Sequence, residues 1–271
     1  MPNKIIPNRE ENKMSNLEKY LKQTGKQKEV EERQIEIRRN PKLDEICRNY
    51  ETWIGDFKDD LDKDYKRALG FSRRKYSAED IEGFSLELKR FEDKKGFEES
   101  GLFLSALANY SKRKRFVIVT EHLSKKIDFI GYRNKKVVEV RGNAGDEVGQ
   151  LNRGKISVSG NAGNEVGLNN SGEISVGGDA GNWVGWNNSG EISVGGNAGD
   201  WVGWYNKRKI SVGGDAGNWV GRYNSGEIST SGDAGDLVGL DNRGKIRVYG
   251  KINSLHENAS GEIYSEGRRI R

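Results

Sequence analysis

Between residues 142 and 249 the apolar positions recur at a fixed interval of 18 residues, in six successive copies that open at Gly142, Gly160, Gly178, Gly196, Gly214 and Gly232. Aligned on that interval, Ala144, Ala162, Ala180, Ala198, Ala216 and Ala234 form one column, and Val148, Val166, Val184, Val202, Val220 and Val238 a second. A third column is Ile156, Ile174, Ile192, Ile210, Ile228 and Ile246, followed two residues later by Val158, Val176, Val194, Val212, Thr230 and Val248. The Ile-x-Val pair has the period of two that belongs to a short strand with one buried face, so the intervening Ser or Arg is expected to face outward. Eighteen residues are too few for a propeller blade or a helical repeat. They suit one coil of a β-solenoid with short strands and tight corners, where residues such as Gly149 supply the backbone freedom a corner needs. With coils about 4.8 Å apart, six would rise about 29 Å.

Such a stack exposes unpaired strand edges at both ends unless its last coils are altered. The pattern does degrade there. Gly131 and Val138-Glu139-Val140 fit an imperfect first coil over residues 127–141, and SGEIY at Ser260–Tyr264 continues the repeat one residue early. Before the repeats, Ile46, Tyr50, Trp53, Ile54, Phe57, Leu61 and Tyr65 recur at helical steps and predict one long amphipathic helix after Pro41. Ser77-Ala78-Glu79-Asp80 predicts a capped helix start before Ile81, and Leu102–Tyr110 a third, more apolar helix. RRKYS between them reads as a loop, and RFVIVT at Arg115–Thr120 as the first strand. The expected organisation is a flexible or partly helical segment over 1–40, an α-helical domain over 41–115 and a parallel β-helix over 116–271. Met14 is an alternative start.

Composition sharpens the division. Of the chain's 36 glycines, 26 lie in residues 142–249, and the charge divides at the same place, about minus 3 in the repeats and plus 7 in residues 1–141. One cysteine, Cys47, excludes a disulfide within the chain and suits a reducing cytoplasm. The sequence has neither an apolar run of membrane-spanning length nor a signal-peptide core, so the expectation is a cytoplasmic protein.

The signature G-x-x-G-x-x-x-G, present as GNAGDEVG, GNAGNEVG, GDAGNWVG, GNAGDWVG, GDAGNWVG and GDAGDLVG, resembles the GXGXG repeat shared by the glutamate synthase C-terminal domain and formylmethanofuran dehydrogenase. The resemblance covers about 40 per cent of the chain. It implies a right-handed parallel β-helix with a scaffold or assembly role and no catalytic residues; with the helices read before it, the expected fold class is α+β. A left-handed hexapeptide helix also has 18-residue coils, but Gln150 and Arg222 stand in one of its apolar columns.

Few residues suggest chemistry. His122 and His256 have no partners at metal-ligand or triad spacing, and Cys47 sits at an apolar helical position, so no catalytic residue, cofactor or metal is expected. Gly149-Gln-Leu-Asn-Arg-Gly154-Lys155 imitates a phosphate loop, but Ile156 replaces the Ser or Thr such a loop requires. Calcium ligation is argued against by free exchange of Asn with Asp at Asn143, Asn161, Asp179, Asn197, Asp215 and Asp233, which reads as relief of carboxylate repulsion between coils.

The remaining candidates are surfaces. Trp183, Trp201 and Trp219 share one column and Trp186 and Trp204 another. Their places in other coils are taken by Glu147, Glu165, Gln150 and Arg222, so five water-facing indoles are expected, either as ladders that stiffen the stack or as a patch for a protein partner or self-association. The basic runs Arg73-Arg74-Lys75 and Lys112-Arg113-Lys114-Arg115 are interleaved with acids and read as solvated helix faces. The leading expectation is a non-catalytic interaction scaffold. A β-helix component of a larger oxidoreductase, by resemblance, and nucleic-acid binding through the helical domain are the alternatives.

Overall fold

A computed structural model describes residues 41–73 and 76–271, so the expectations for residues 1–40 and for Arg74 and Lys75 lie outside it. Among the described residues four α-helices precede the strands: α1 (Pro41–Gly55), α2 (Leu61–Phe71), α3 (Ala78–Glu87) and α4 (Ser100–Tyr110). The single long helix expected after Pro41 is in fact two. Asp60 caps α2 by accepting from the Lys63 amide at 3.1 Å, and the buried Asp64 carboxylate accepts from the backbone N–H groups of Lys58 and Asp60 while pairing with Arg67 at 2.8 Å. Those bonds satisfy the groups that open between α1 and α2, so polar chemistry at 56–64 overrides a continuous apolar stripe. The start at Ser77 is as expected, a reciprocal capping box with Asp80.

The strands follow as β1 (Arg115–Val119), β2 (Val137–Arg141), β3 (Lys155–Val158), β4 (Glu173–Val176), β5 (Glu191–Val194), β6 (Lys209–Val212), β7 (Glu227–Thr230), β8 (Lys245–Val248), β9 (Glu262–Ser265) and β10 (Arg268–Arg269). They form one sheet in chain order, a β-solenoid of about eight parallel coils. From β3 to β8 the register is set by the 18-residue repeat: Ile156, Ile174, Ile192, Ile210, Ile228 and Ile246 lie opposite one another and are buried, as are the Ala and Val columns. At Gly149, Gly167, Gly185, Gly203 and Gly221 φ is between 70 and 74°, and a Cβ there would run into the Ile side chain of a neighbouring coil. Those corners therefore take only glycine.

Both ends are covered as the degraded repeats suggest. At the first coil α3 packs on β1, and Ser85 Oγ accepts from the Val119 amide at 3.0 Å, using an edge group of that strand. At the last, β9 pairs with β8 and is folded over by the antiparallel β10, which carries Arg268 and Arg269 outward. Residues 40–271 make up one compact unit. Among the described residues no helix is long and apolar enough to cross a membrane.

Candidate recognition surface

Side-chain ladders of three kinds run along the solenoid, two of them polar and one aromatic. The innermost is asparagine. Asn134, Asn152, Asn170, Asn188, Asn206, Asn224 and Asn242 are all buried, and each of the first six donates from Nδ2 to Oδ1 of the residue 18 positions on, at 2.8–2.9 Å. In most coils the same amide also bonds the backbone N–H and C=O two residues later, as Asn188 does with Gly190 at 3.1 and 2.8 Å. The column is visible in the sequence, whereas its inward direction is not, because a polar residue followed by an exposed one, as Asn188 is by Ser189, gives no apolar signal.

The second ladder explains why Asn and Asp exchange freely. Oδ1 of Asn143, Asn161, Asp179, Asn197, Asp215 and Asp233 accepts the backbone N–H of the residue 18 later at 2.7–2.9 Å. Asp128, Asp146, Asn164, Asn182, Asp200 and Asn218 do the same at 2.7–3.0 Å. The recurring bond uses only an oxygen, so amide and carboxylate serve alike, although Asn164 also donates from Nδ2 to the Asp146 carboxylate at 3.3 Å. This is a more direct cause than relief of repulsion. Among the described residues no three His, Cys, Asp or Glu side chains are grouped to hold a metal ion.

The third ladder is aromatic. Trp183, Trp201 and Trp219 stack at 4.9 Å with their planes 1–2° apart, and Trp186 and Trp204 at 5.1 Å. Tyr205 and Tyr223 form a parallel stack at 4.9 Å. Arg222, next in the Trp186–Trp204 column, lays its guanidinium 5.3 Å from the Trp204 ring and 5.2 Å from that of Tyr223, replacing an indole in the ladder. His256 closes the far end against Trp219 at 5.7 Å. The five indoles are therefore half-buried rather than water-facing, because each covers its neighbour's face. What the central rings offer outward is their edges.

The backbone beneath these rings is unusual. Trp183, Trp201 and Trp219 have φ of 61–65°, and Tyr205 and Tyr223 54° and 53°. Left-handed backbone is disfavoured for non-glycine residues by about 1–2 kcal/mol each. Glu147, Glu165 and Leu237 occupy the Trp position in other coils with φ of 57–61°, so the corner is imposed by the coil and the choice of indole is not.

Near the start of that column, one coil after Phe129, burial, then Glu165, Asp128 and Asp146, push the Glu147 carboxyl up to about 7. A folded-state pKa above the unfolded one gives stability that is complete below about 4.5 and is lost as pH rises through 7. Glu147→Gln is expected to remove about 1–2 kcal/mol of this dependence, solvent screening allowed for, so that urea midpoints at pH 5 and pH 8 move closer together. An unchanged difference between the two midpoints would place the effect elsewhere.

Cys47 is buried in α1 and its thiol is pushed up to about 11, chiefly by burial, which leaves almost no thiolate at neutral pH. His122, half-buried after β1, has its pKa lowered by burial, while His256 Nδ1 accepts from the Asn258 amide at 3.0 Å. Residues 149–155, the imitation phosphate loop, are a coil corner leading into β3. Comparison with protein-family models, curated proteins and solved structures returns no match for this chain.

Proposed function

We propose that the protein is a non-catalytic scaffold whose solenoid presents the aromatic face to a protein partner or to a second copy of itself. The observation that carries this reading is the placement of three tryptophans at left-handed corners that accept Glu or Leu in other coils. Rings already stacked on a rigid sheet lose little conformational freedom when they dock, and aromatic and Arg side chains dominate protein-recognition hot spots. Sugar recognition is disfavoured, since it uses ring faces and the central faces are occupied by other rings.

Trp183→Ser, Trp201→Ser and Trp219→Ser together leave the buried Ala, Val and Ile columns in place. The triple variant is expected to unfold cooperatively, weakened by about 0.5–1.5 kcal/mol for each aromatic pair beyond the lost area, and to lose self-association or partner capture. Sedimentation velocity and affinity capture beside the parent check this. Association retained at the parent level would reduce the tryptophans to a structural ladder.

A further inference from the structure

The first three strands begin with base upon base. Arg113-Lys114-Arg115 leads into β1, Lys135-Lys136 into β2 and Arg153-Gly154-Lys155 into β3, and the parallel register sets Arg115 beside Val137 and Val137 beside Lys155. Like charges on adjacent strands repel. Farther along the same side the bases are interleaved with Glu191, Glu227 and Glu262: Arg208 pairs with Glu191 at 3.1 Å and Lys245 with Glu262 at 2.9 Å, while Lys207, Lys209 and Arg243 have, among the described residues, no carboxylate partner and no exposed tyrosine beside them in the concavity they line. At the first coils Lys155 finds Glu173, but among the described residues no carboxylate pairs with Lys114, Lys135 or Arg153, all exposed.

These cations line two concavities. One, of about 550 Å³ between α4 and the first coils, has Lys135 and Arg153 beside Tyr65 and Tyr110, the latter half-exposed. Next to it, sharing Lys135 and Arg153, lies a second of about 670 Å³ whose floor is Gly154, Gly172 and Gly190. Its charge is that of six cations (Lys114, Lys135, Lys136, Arg153, Lys155, Arg208) and two carboxylates (Glu173, Glu191). Arg133, over the rings of Tyr65 and Tyr132 at 5.9 and 5.3 Å, adds a flat π surface at the rim.

We infer that the junction between the helices and the first coils binds single-stranded nucleic acid, with Lys114, Lys135 and Arg153 on phosphates and Tyr110 under a base. Unpaired cations in a row suit a phosphate backbone, and an exposed ring beside them suits a base rather than an acidic peptide. The bases of a single strand are free to stack on that ring, whereas those of a duplex are already stacked and paired. The surface is separate from the aromatic ladder, so this inference and the scaffold reading stand or fall apart.

The full-length protein is to be titrated with a fluorescein-labelled single strand of about 16 mixed nucleotides, read by anisotropy between 50 and 200 mM salt. With about three phosphates neutralised, log K should fall with log salt at a slope of about −2. Lys135→Glu with Arg153→Glu should weaken binding at least tenfold. Lys207→Glu with Arg243→Glu, the same charge change in the same column of remote coils, should leave it within about twofold. Tyr110→Ser should weaken binding without altering the slope. Thermal melts of all variants ensure that folded proteins are compared, and Lys135→Gln with Arg153→Gln, also expected to bind more weakly, replaces the charge reversal if that variant melts early. The inference is overturned by no binding at 50 mM salt, by equal losses in the two charge-reversed pairs, by a Tyr110→Ser variant that binds like the parent, or by polyglutamate displacing the probe as readily as unlabelled strand does.

Discussion

Ile192→Asp is expected to abolish the folded solenoid at neutral pH, whereas Ser193→Asp, one residue along the same strand, changes stability by less than about 0.5 kcal/mol. Ile192 is buried between Ile174 and Ile210, and its Cδ1 would lie 2.4 Å from a Cβ on Gly167 and 3.3 Å from one on Gly185. Truncating such a side chain alone removes about 2–5 kcal/mol. Aspartate adds a charge with no partner in an interior column of Ile, Val and Gly, and the sum rivals the whole stability of an ordinary domain. Ser193 points outward between Ser175 and Ser211, where a carboxylate meets water. Urea unfolding followed by tryptophan fluorescence checks both variants. Equal losses would contradict the assignment of Ile192 to the interior and Ser193 to the surface of β5.

The second large effect is expected at Asn188. Asn188→Asp keeps size and shape and keeps the acceptor that binds the Gly190 amide, but it removes the donor that reaches Asn206 Oδ1 at 2.9 Å and sets oxygen against oxygen. Ionised, the new carboxyl is a buried, uncompensated charge worth about 3–5 kcal/mol of destabilisation. Protonated, it regains one donor. Its folded-state pKa must therefore lie above its unfolded value, so stability is retained below the unfolded pKa near 4 and is lost as pH rises through the folded one. Denaturation midpoints from pH 4 to pH 8 should fall steeply for this variant relative to the parent. An Asp at 188 that is neutral to stability at pH 8 would contradict the ladder.

Most of this fold is legible in residues 142–249, because each coil is a fresh sample of the same environment. A column that holds only Ile must be buried, and one that exchanges Trp with Glu cannot be deep. Where a column is uniform but polar, its uniformity gives no direction, and the buried asparagines look like corner residues. The break between α1 and α2 is hidden for another reason: Asp60 and Asp64 act through bonds to backbone groups, which leave no periodic trace, while the apolar stripe from Ile46 to Tyr65 continues across them. The two indole columns are plain in the repeat, yet their half-burial depends on mutual stacking at 4.9 Å, a property of neighbours rather than of any one coil. The basic junction is divided in the sequence between a helical domain and the repeats, and only the register of β1 against β2 brings Lys114 alongside Lys136.

Every amide in the asparagine column points the same way, donor toward the C-terminal coils, from Asn134 through Asn242 and on to the Ser260 carbonyl at 2.9 Å. Reversing one amide would place acceptor against acceptor on one side and donor against donor on the other, so the orientation is collective: the seven hold together or turn together. Aligned dipoles polarise one another in a medium of low dielectric. The column is thus a polar axis through the length of the solenoid, with its negative pole at Asn134, next to Lys135 and Lys136. That pole offsets part of the repulsion among the cations of the first coils, and every coil beyond it contributes to holding them in place.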